Sequence, residues 1–276
     1  MMNIRQISDL NTPELYIYTG ISERQLLTIN EPNPGIFIAE SFKVLERALT
    51  AGFKPISALV EKSCLPTLKE LLEKKADLPG DFPVYEASEE VLDKMTGYHL
   101  TGGCLCAMER KELYSPEDIL KNSRRIAFLE NIMNPTNVGA IFRSAAALGM
   151  DAILLTRSCS DPLYRRSIRV SMGTVFQIPW AFIDSKEVSW PGDGIGLLHD
   201  HGFKLASMAL RNESVDINDP VLKSEEKLVV ALGSEGEGLL AETISKSDYV
   251  IKIPMFHDVD SLNVAAASAL VFWELK

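Results

Sequence analysis

The chain has 276 residues, of which 46% are hydrophobic and 24% charged, with a net charge of −10 at neutral pH. This content supports one large or two ordinary packed domains and excludes a disordered chain. It also excludes a disulfide scaffold, because Cys64, Cys104, Cys106 and Cys159 have no framework spacing in a chain of this size.

In chain order, the opening MMNIRQISDLNTPELY lacks the apolar stretch of a secretory leader. GIFIAES reads as a strand, and SFKVLERALTAGF as a helix with Phe42, Leu45 and Leu49 on one face. ISALVEK, FPVYEAS and GGCLCAMER are expected strands, and LPTLKELLEKKA and EEVLDKMTG expected helices. The charged KELYSPEDILKNSRR shows no core pattern for its length, so it is read as a linker with a boundary near 114–122. The second part alternates again. RIAFLENI, AILLTR, VFQIPW, KLASMAL, KLVVALG and YVIKIP are expected strands. VGAIFRSAAALG is expected to be a helix ending on Gly149 at its C′ position. PLYRRSIRVSMG and SLNVAAASALVFWEL complete the expected helices. Continuous Val/Ile/Leu strands with helices between them imply a parallel sheet covered on both faces.

No run reaches the roughly 18 apolar residues of a membrane span, so a cytoplasmic protein with reduced thiols is expected. Cys104 and Cys106 could share a strand face, but a metal site would want two more ligands and none stands nearby. The His199-Asp200-His201 triplet reads as a solvated loop. No metal is expected. Residues 121–170 carry 8 basic and 3 acidic side chains within an acidic chain. Such clusters are often solvated faces; this one flanks an unusual loop and is a candidate for binding phosphates.

In a parallel sheet, ligands bind beyond the carboxyl ends of the strands. Three expected strands end in unusual loops. NPTNVGAIFRSAAALG sets Asn134, Asn137 and Gly139 before an alanine-rich helix carrying Arg143. LGSEGEGL has glycines at 233, 236 and 238; with no following Lys-Ser/Thr it is not a P-loop, and its G-x-x-G-x-G order, late in the chain, is not the dinucleotide fingerprint. IPMFHDVDSLNVAAASAL sets Ser261 before an apolar helix, where alone it reads as an N-cap, with Asn263 in the first turn.

Together, and in this order, these three stretches resemble the motifs of the SpoU/TrmH branch of the SPOUT RNA methyltransferases. DPLYRRSIRVSMGTVFQIPW between them is similar to the family's intervening segment, and the resemblance spans about residues 123–276. GIFIAES and VYEASEEVLDKMTG are similar, more loosely, to the ribosomal-protein-like substrate-binding domain of many members. The resemblance implies an α/β fold in which a C-terminal parallel-sheet trefoil-knot (SPOUT) domain over 123–276 follows a smaller N-terminal α/β domain over 1–115. It implies a homodimer through the C-terminal domain, S-adenosylmethionine as cofactor, and methylation of a ribose 2′-hydroxyl in RNA. The two-domain layout favours ribosomal over transfer RNA. A non-catalytic RNA-binding protein of the same fold and a methyltransferase acting on a base or a non-RNA substrate are the alternatives. Carried over by motif, Asn137, Arg143, Glu235, Ser261 and Asn263 are the expected catalytic residues, and the backbones of Gly233, Ile253 and Leu262 the expected cofactor contacts. In that reading Arg143 holds an RNA phosphate, the two asparagines fix the arginine, and Glu235 partners Arg143 or an RNA hydroxyl. His257 stands where many members have glycine, and Ala265 where many have serine.

Overall fold

A computed structural model describes residues 2–8, 12–96, 102–211, 213–257 and 259–276. Gly97 of the expected EEVLDKMTG helix and Asp258 of the third loop lie outside them. The chain forms two compact units, neither of them contiguous: Met1–Glu112 with Leu163–Phe176, and Leu113–Pro162 with Gln177–Lys276.

The first unit is built on five strands: β1 (Asn3–Ile7), β2 (Ile36–Glu40), β3 (Pro55–Glu61), β4 (Pro83–Ala87) and β5 (Cys104–Glu109). Their order is β1-β4-β3-β5-β2. β1, β4 and β3 run parallel, and β5 is antiparallel to both β3 and β2. β2 is buried along its whole length. The helix Phe42–Thr50 buries Val44, Leu45, Ala48 and Leu49, the spacing of one helical face. Leu15, Tyr18, Leu26, Ile38, Leu59 and Leu105 share the core. Burial pushes the Cys104 and Cys106 thiols up, which disfavours the thiolate a metal would need.

Leu163–Phe176 belongs to this unit although the chain on either side of it belongs to the other. Its helix, Arg165–Val170, is shorter than the expected PLYRRSIRVSMG. Arg165 Nε donates to Glu40 Oε2 at 2.8 Å, and Arg169 Nη1 lies 3.6 Å from Glu40 Oε1. Glu40 is buried, so the pair neutralises a carboxylate that would otherwise be costly there. Arg47 Nη1 donates to the Met172 carbonyl at 2.6 Å, and Phe176 packs with Phe37 and Phe53. VFQIPW is therefore not one strand: Thr174–Phe176 is a 3-10 turn, and only Trp180–Phe182 is extended.

The second unit is a seven-stranded sheet in which every pairing is parallel. Its strands are β6 (Arg125–Leu129), β7 (Ala152–Leu155), β8 (Trp180–Phe182), β9 (Lys204–Met208), β10 (Val215–Asp216), β11 (Leu228–Leu232) and β12 (Tyr249–Lys252). The order is β10-β12-β9-β11-β6-β7-β8. In β6, Ile126 and Phe128 are buried on one face and Ala127 and Leu129 on the other, as expected for a sheet covered on both sides. The helix Pro135–Leu148 starts on the Asn134 side chain and ends on Gly149 in the left-handed conformation (φ 83°). It packs against the C-terminal helix Val264–Leu275.

Two expectations fail here. The stretch read as linker contains the helix Pro116–Asn122, whose Ile119 and Leu120 enter the core beside Ile126 and Phe128. His199 and Asp200 are not a loop but the end of the helix Gly192–Asp200, and His199 Nε2 is 2.9 Å from Asp248 Oδ2. Among the described residues no helix is long and apolar enough to cross a membrane, and no three metal-ligating side chains are gathered.

Candidate active site

β12, β9 and β11 are neighbours, and their carboxyl ends open into a cleft of about 610 Å³, within the roughly 300–1,000 Å³ of small-molecule sites. Gly233, Glu235, Ile253, Ser261, Leu262 and Asn263 all line it. Met208 to Arg211, at the carboxyl end of β9, form a wall that carries no sequence signal. The rule that singled out the ends of β6, β11 and β12 applies equally to β9, but ALRNES carries no unusual residue to draw attention.

The glycine loop is a closed hairpin. Ser234 and Gly238 exchange main-chain hydrogen bonds of 3.0 and 3.2 Å. A Cβ at Gly233 would lie 2.2 Å from the Gly238 carbonyl carbon and 2.3 Å from the Leu239 nitrogen. No side chain fits there, so the hairpin can close on itself only with glycine at 233. Arg211 and Lys252 supply positive charge to the walls, and Glu235, Glu237 and Asp260 negative charge. Backbone groups, the apolar Ile253 and Leu262, and charges of both signs suit a zwitterionic nucleoside ligand of the S-adenosylmethionine type.

A polar cluster joins the three loops. Asn137 Nδ2 donates to Glu235 Oε1 at 2.6 Å, and Asn263 Nδ2 donates to the same oxygen at 2.5 Å. Asn263 Nδ2 is also 3.3 Å from Asn137 Oδ1. Asn137 is buried while Glu235 is exposed, so one carboxylate oxygen is fixed by two amides. Oε2 has no partner among the described residues. The N-cap of the last helix is Asn263, not Ser261: its Oδ1 accepts from Ala265 N at 3.0 Å and Ala266 N at 3.4 Å. Ser261 is exposed on the cleft wall.

Arg143 does not join this cluster. It is exposed and has no hydrogen bond or ion pair with any described residue. Six residues of helix carry it roughly 9 Å along the axis and about 240° around from Asn137, which accounts for its separation from Glu235. The asparagines hold Glu235, not the arginine. The basic side chains of residues 121–170 are also less free than their count implied. Arg165 and Arg169 face Glu40, Arg157 bonds the Asp184 carbonyl, and Arg125 donates to the carbonyls of Leu275, Glu225 and Glu226.

His257 has φ 59°, the left-handed conformation that glycine adopts without cost. At Ala265 the main-chain N–H is capped by Asn263, a bond that needs no side-chain hydroxyl.

Comparison with known proteins gives a consistent result. The profile of the SpoU rRNA Methylase family matches residues 124–273. An uncharacterized tRNA/rRNA methyltransferase of Mycobacterium tuberculosis is 33% identical over 275 residues, covering 99% of this chain and 92% of that protein. The 23S rRNA (guanosine(2553)-2′-O)-methyltransferase RlmP of Bacillus subtilis is 26% identical over 216 residues, covering 76% and 81%. An AdoMet-bound rRNA methyltransferase from Sinorhizobium meliloti has a similar structure, with a TM-score of 0.79, 25% identity, and coverage of 99% and 97%.

Proposed function

Because the chain belongs to the SpoU rRNA methylase family, we propose that this RNA methyltransferase moves a methyl group from S-adenosylmethionine to a ribose 2′-hydroxyl, with ribosomal RNA as the substrate. The observation that carries the reading is the Asn137–Glu235–Asn263 cluster at the edge of a glycine-walled cleft. The relative named for 2′-O-methylation of 23S rRNA supports the choice of ribose and of ribosomal RNA. The first unit is assigned the binding of substrate RNA, and the second unit is assigned the dimer contact.

S-adenosylmethionine, when bound, supplies an already activated methyl group. The protein must then align the attacking oxygen and let its proton leave. Gly233, Ile253 and Leu262 hold the cofactor. Glu235, with Oε1 held by two amides, turns Oε2 to an RNA hydroxyl. Ser261, on the same wall, hydrogen-bonds the ribose. Arg143 grips an RNA phosphate with its planar fork and sets the ribose in line. A guanidinium stays protonated, so Arg143 positions and stabilises charge, and the proton passes to phosphate or water. Alignment of this kind lowers a barrier by roughly 7–11 kcal/mol in well-oriented systems.

Arg143→Ala is expected to cut single-turnover methylation by about a hundred- to a thousandfold, with S-adenosylmethionine affinity near wild type. Arg143→Lys should rescue poorly, since an ammonium lacks the fork. Near-normal turnover in the alanine variant would reduce Arg143 to a surface charge. Mapping 2′-O-methyls in total RNA with and without the gene identifies the substrate; a missing mark in transfer RNA alone would overturn the ribosomal assignment.

A further inference from the structure

Glu130 follows β6 directly and is fully buried. Among the described residues no cation pairs with it. Three donors converge on it instead: Trp190 Nε1 (2.6 Å) and Thr243 Oγ1 (2.5 Å) on Oε2, and the Leu240 main-chain N–H (2.5 Å) on Oε1. The pattern suits a carboxylate, which only accepts. The Trp190 ring lies against Phe128 with centroids 4.0 Å apart, so the indole donor is held in place. A buried charge without a counter-ion is a poor choice for stability alone, because an apolar side chain would fill the space at less cost.

What the charge does hold is the glycine loop. The Glu130 N–H donates to the Leu232 carbonyl at 2.9 Å, where the loop begins. Its carboxylate takes the N–H of Leu240, where the loop ends. Leu232 and Leu239 both line the cleft, and Glu235 sits between them. One residue therefore anchors both feet of the hairpin that walls the cleft.

We propose that Glu130 is a positioning residue for the cofactor site: it fixes the exit of the glycine loop and, through it, the cleft wall. The proposal rests on the cofactor reading above. Replacement by glutamine tests it, because whichever way the amide turns, its NH₂ meets a donor: Leu240 N–H on one side, or Trp190 and Thr243 on the other.

The measurement is calorimetric titration of the full-length protein with S-adenosylmethionine, at a temperature where circular dichroism and urea unfolding show each variant to be folded. Glu130→Gln is expected to raise the Kd about tenfold, the equivalent of one lost hydrogen bond to a charged group. At saturating cofactor the single-turnover rate should return to within about threefold of wild type, the signature of a binding defect. Thr243→Val leaves Leu240 attached and should raise the Kd less, about threefold. A folded Glu130→Gln variant with wild-type Kd overturns the proposal. If that variant does not fold, unchanged affinity in both Thr243→Val and Trp190→Phe overturns it. Failure of the wild-type protein to bind S-adenosylmethionine would instead remove the cofactor reading itself.

Discussion

The side-chain amide of Asn263 works at both ends. Its oxygen caps the C-terminal helix and its nitrogen holds Glu235, so the two roles can be separated by substitution. Serine is also a good N-cap but has no amide nitrogen. Asn263→Ser should therefore keep stability within a few tenths of a kcal/mol, whereas Asn263→Ala should lose about 1 kcal/mol. Both should slow methyl transfer at least tenfold, about the effect of one lost hydrogen bond to a charged group. Urea titration and single-turnover assays read the two effects apart, and a fully active serine variant would show that the bond to Glu235 is not needed. The residue types of the cluster were legible in the sequence, since Asn137, Glu235 and Asn263 stand out in the polar stretches that follow β6, β11 and β12. Their pairing was not. Spacing along the chain does not say which side chains of separate loops meet, and the helical phase between Asn137 and Arg143 sends the arginine elsewhere. His257 illustrates the same limit: its departure from glycine is visible in the sequence, its φ of 59° only in the structure.

Elements with strong patterns were readable. The runs RIAFL, AILL and LVVAL became β6, β7 and β11 because each is buried on both faces. Weakly patterned ones were missed. β1 has only Ile7 partly buried and owes its place to backbone pairing with β4. The helix Pro116–Asn122 offers two adjacent apolar residues, too few to show a period. The C-terminal helix is apolar on more than one face, and this matters for assembly. It buries Val264, Ser268, Val271, Phe272 and Leu275 but leaves Leu270 46% and Trp273 60% exposed. A second copy of the chain is the occupant proposed for that face. Light scattering of the full chain should show a dimer. Trp273→Glu should weaken it about thirtyfold, as expected for an interface tryptophan worth ~2 kcal/mol. A clean wild-type monomer at micromolar concentration would contradict the assignment.

The division of the whole molecule bears on its charge. Residues 1–112 carry 12 basic and 17 acidic side chains, an awkward balance for an RNA-binding unit. Arg165, Arg166 and Arg169, brought in by Leu163–Phe176, reduce the acidic excess from five to two. Removing residues 1–112 should weaken RNA binding at least tenfold while changing S-adenosylmethionine affinity by less than about threefold, because the cleft residues all lie beyond residue 200. Such a fragment strands Leu163–Phe176 without its packing partners, so a second version with that segment replaced by a short polar connector is the proper comparison. Undiminished RNA binding by both would refute the role given to the first unit. The same excursion also sets a timetable for synthesis. The amino-terminal unit cannot close when its first 112 residues have left the ribosome, because its last helix is encoded some sixty codons later. At typical elongation rates it waits roughly 3–12 s with β2 and Glu40 uncovered, and β6 and β7 are already made when it is completed. A nascent chain stalled before residue 163 should accordingly be more open to protease in its first unit than one stalled well beyond residue 176.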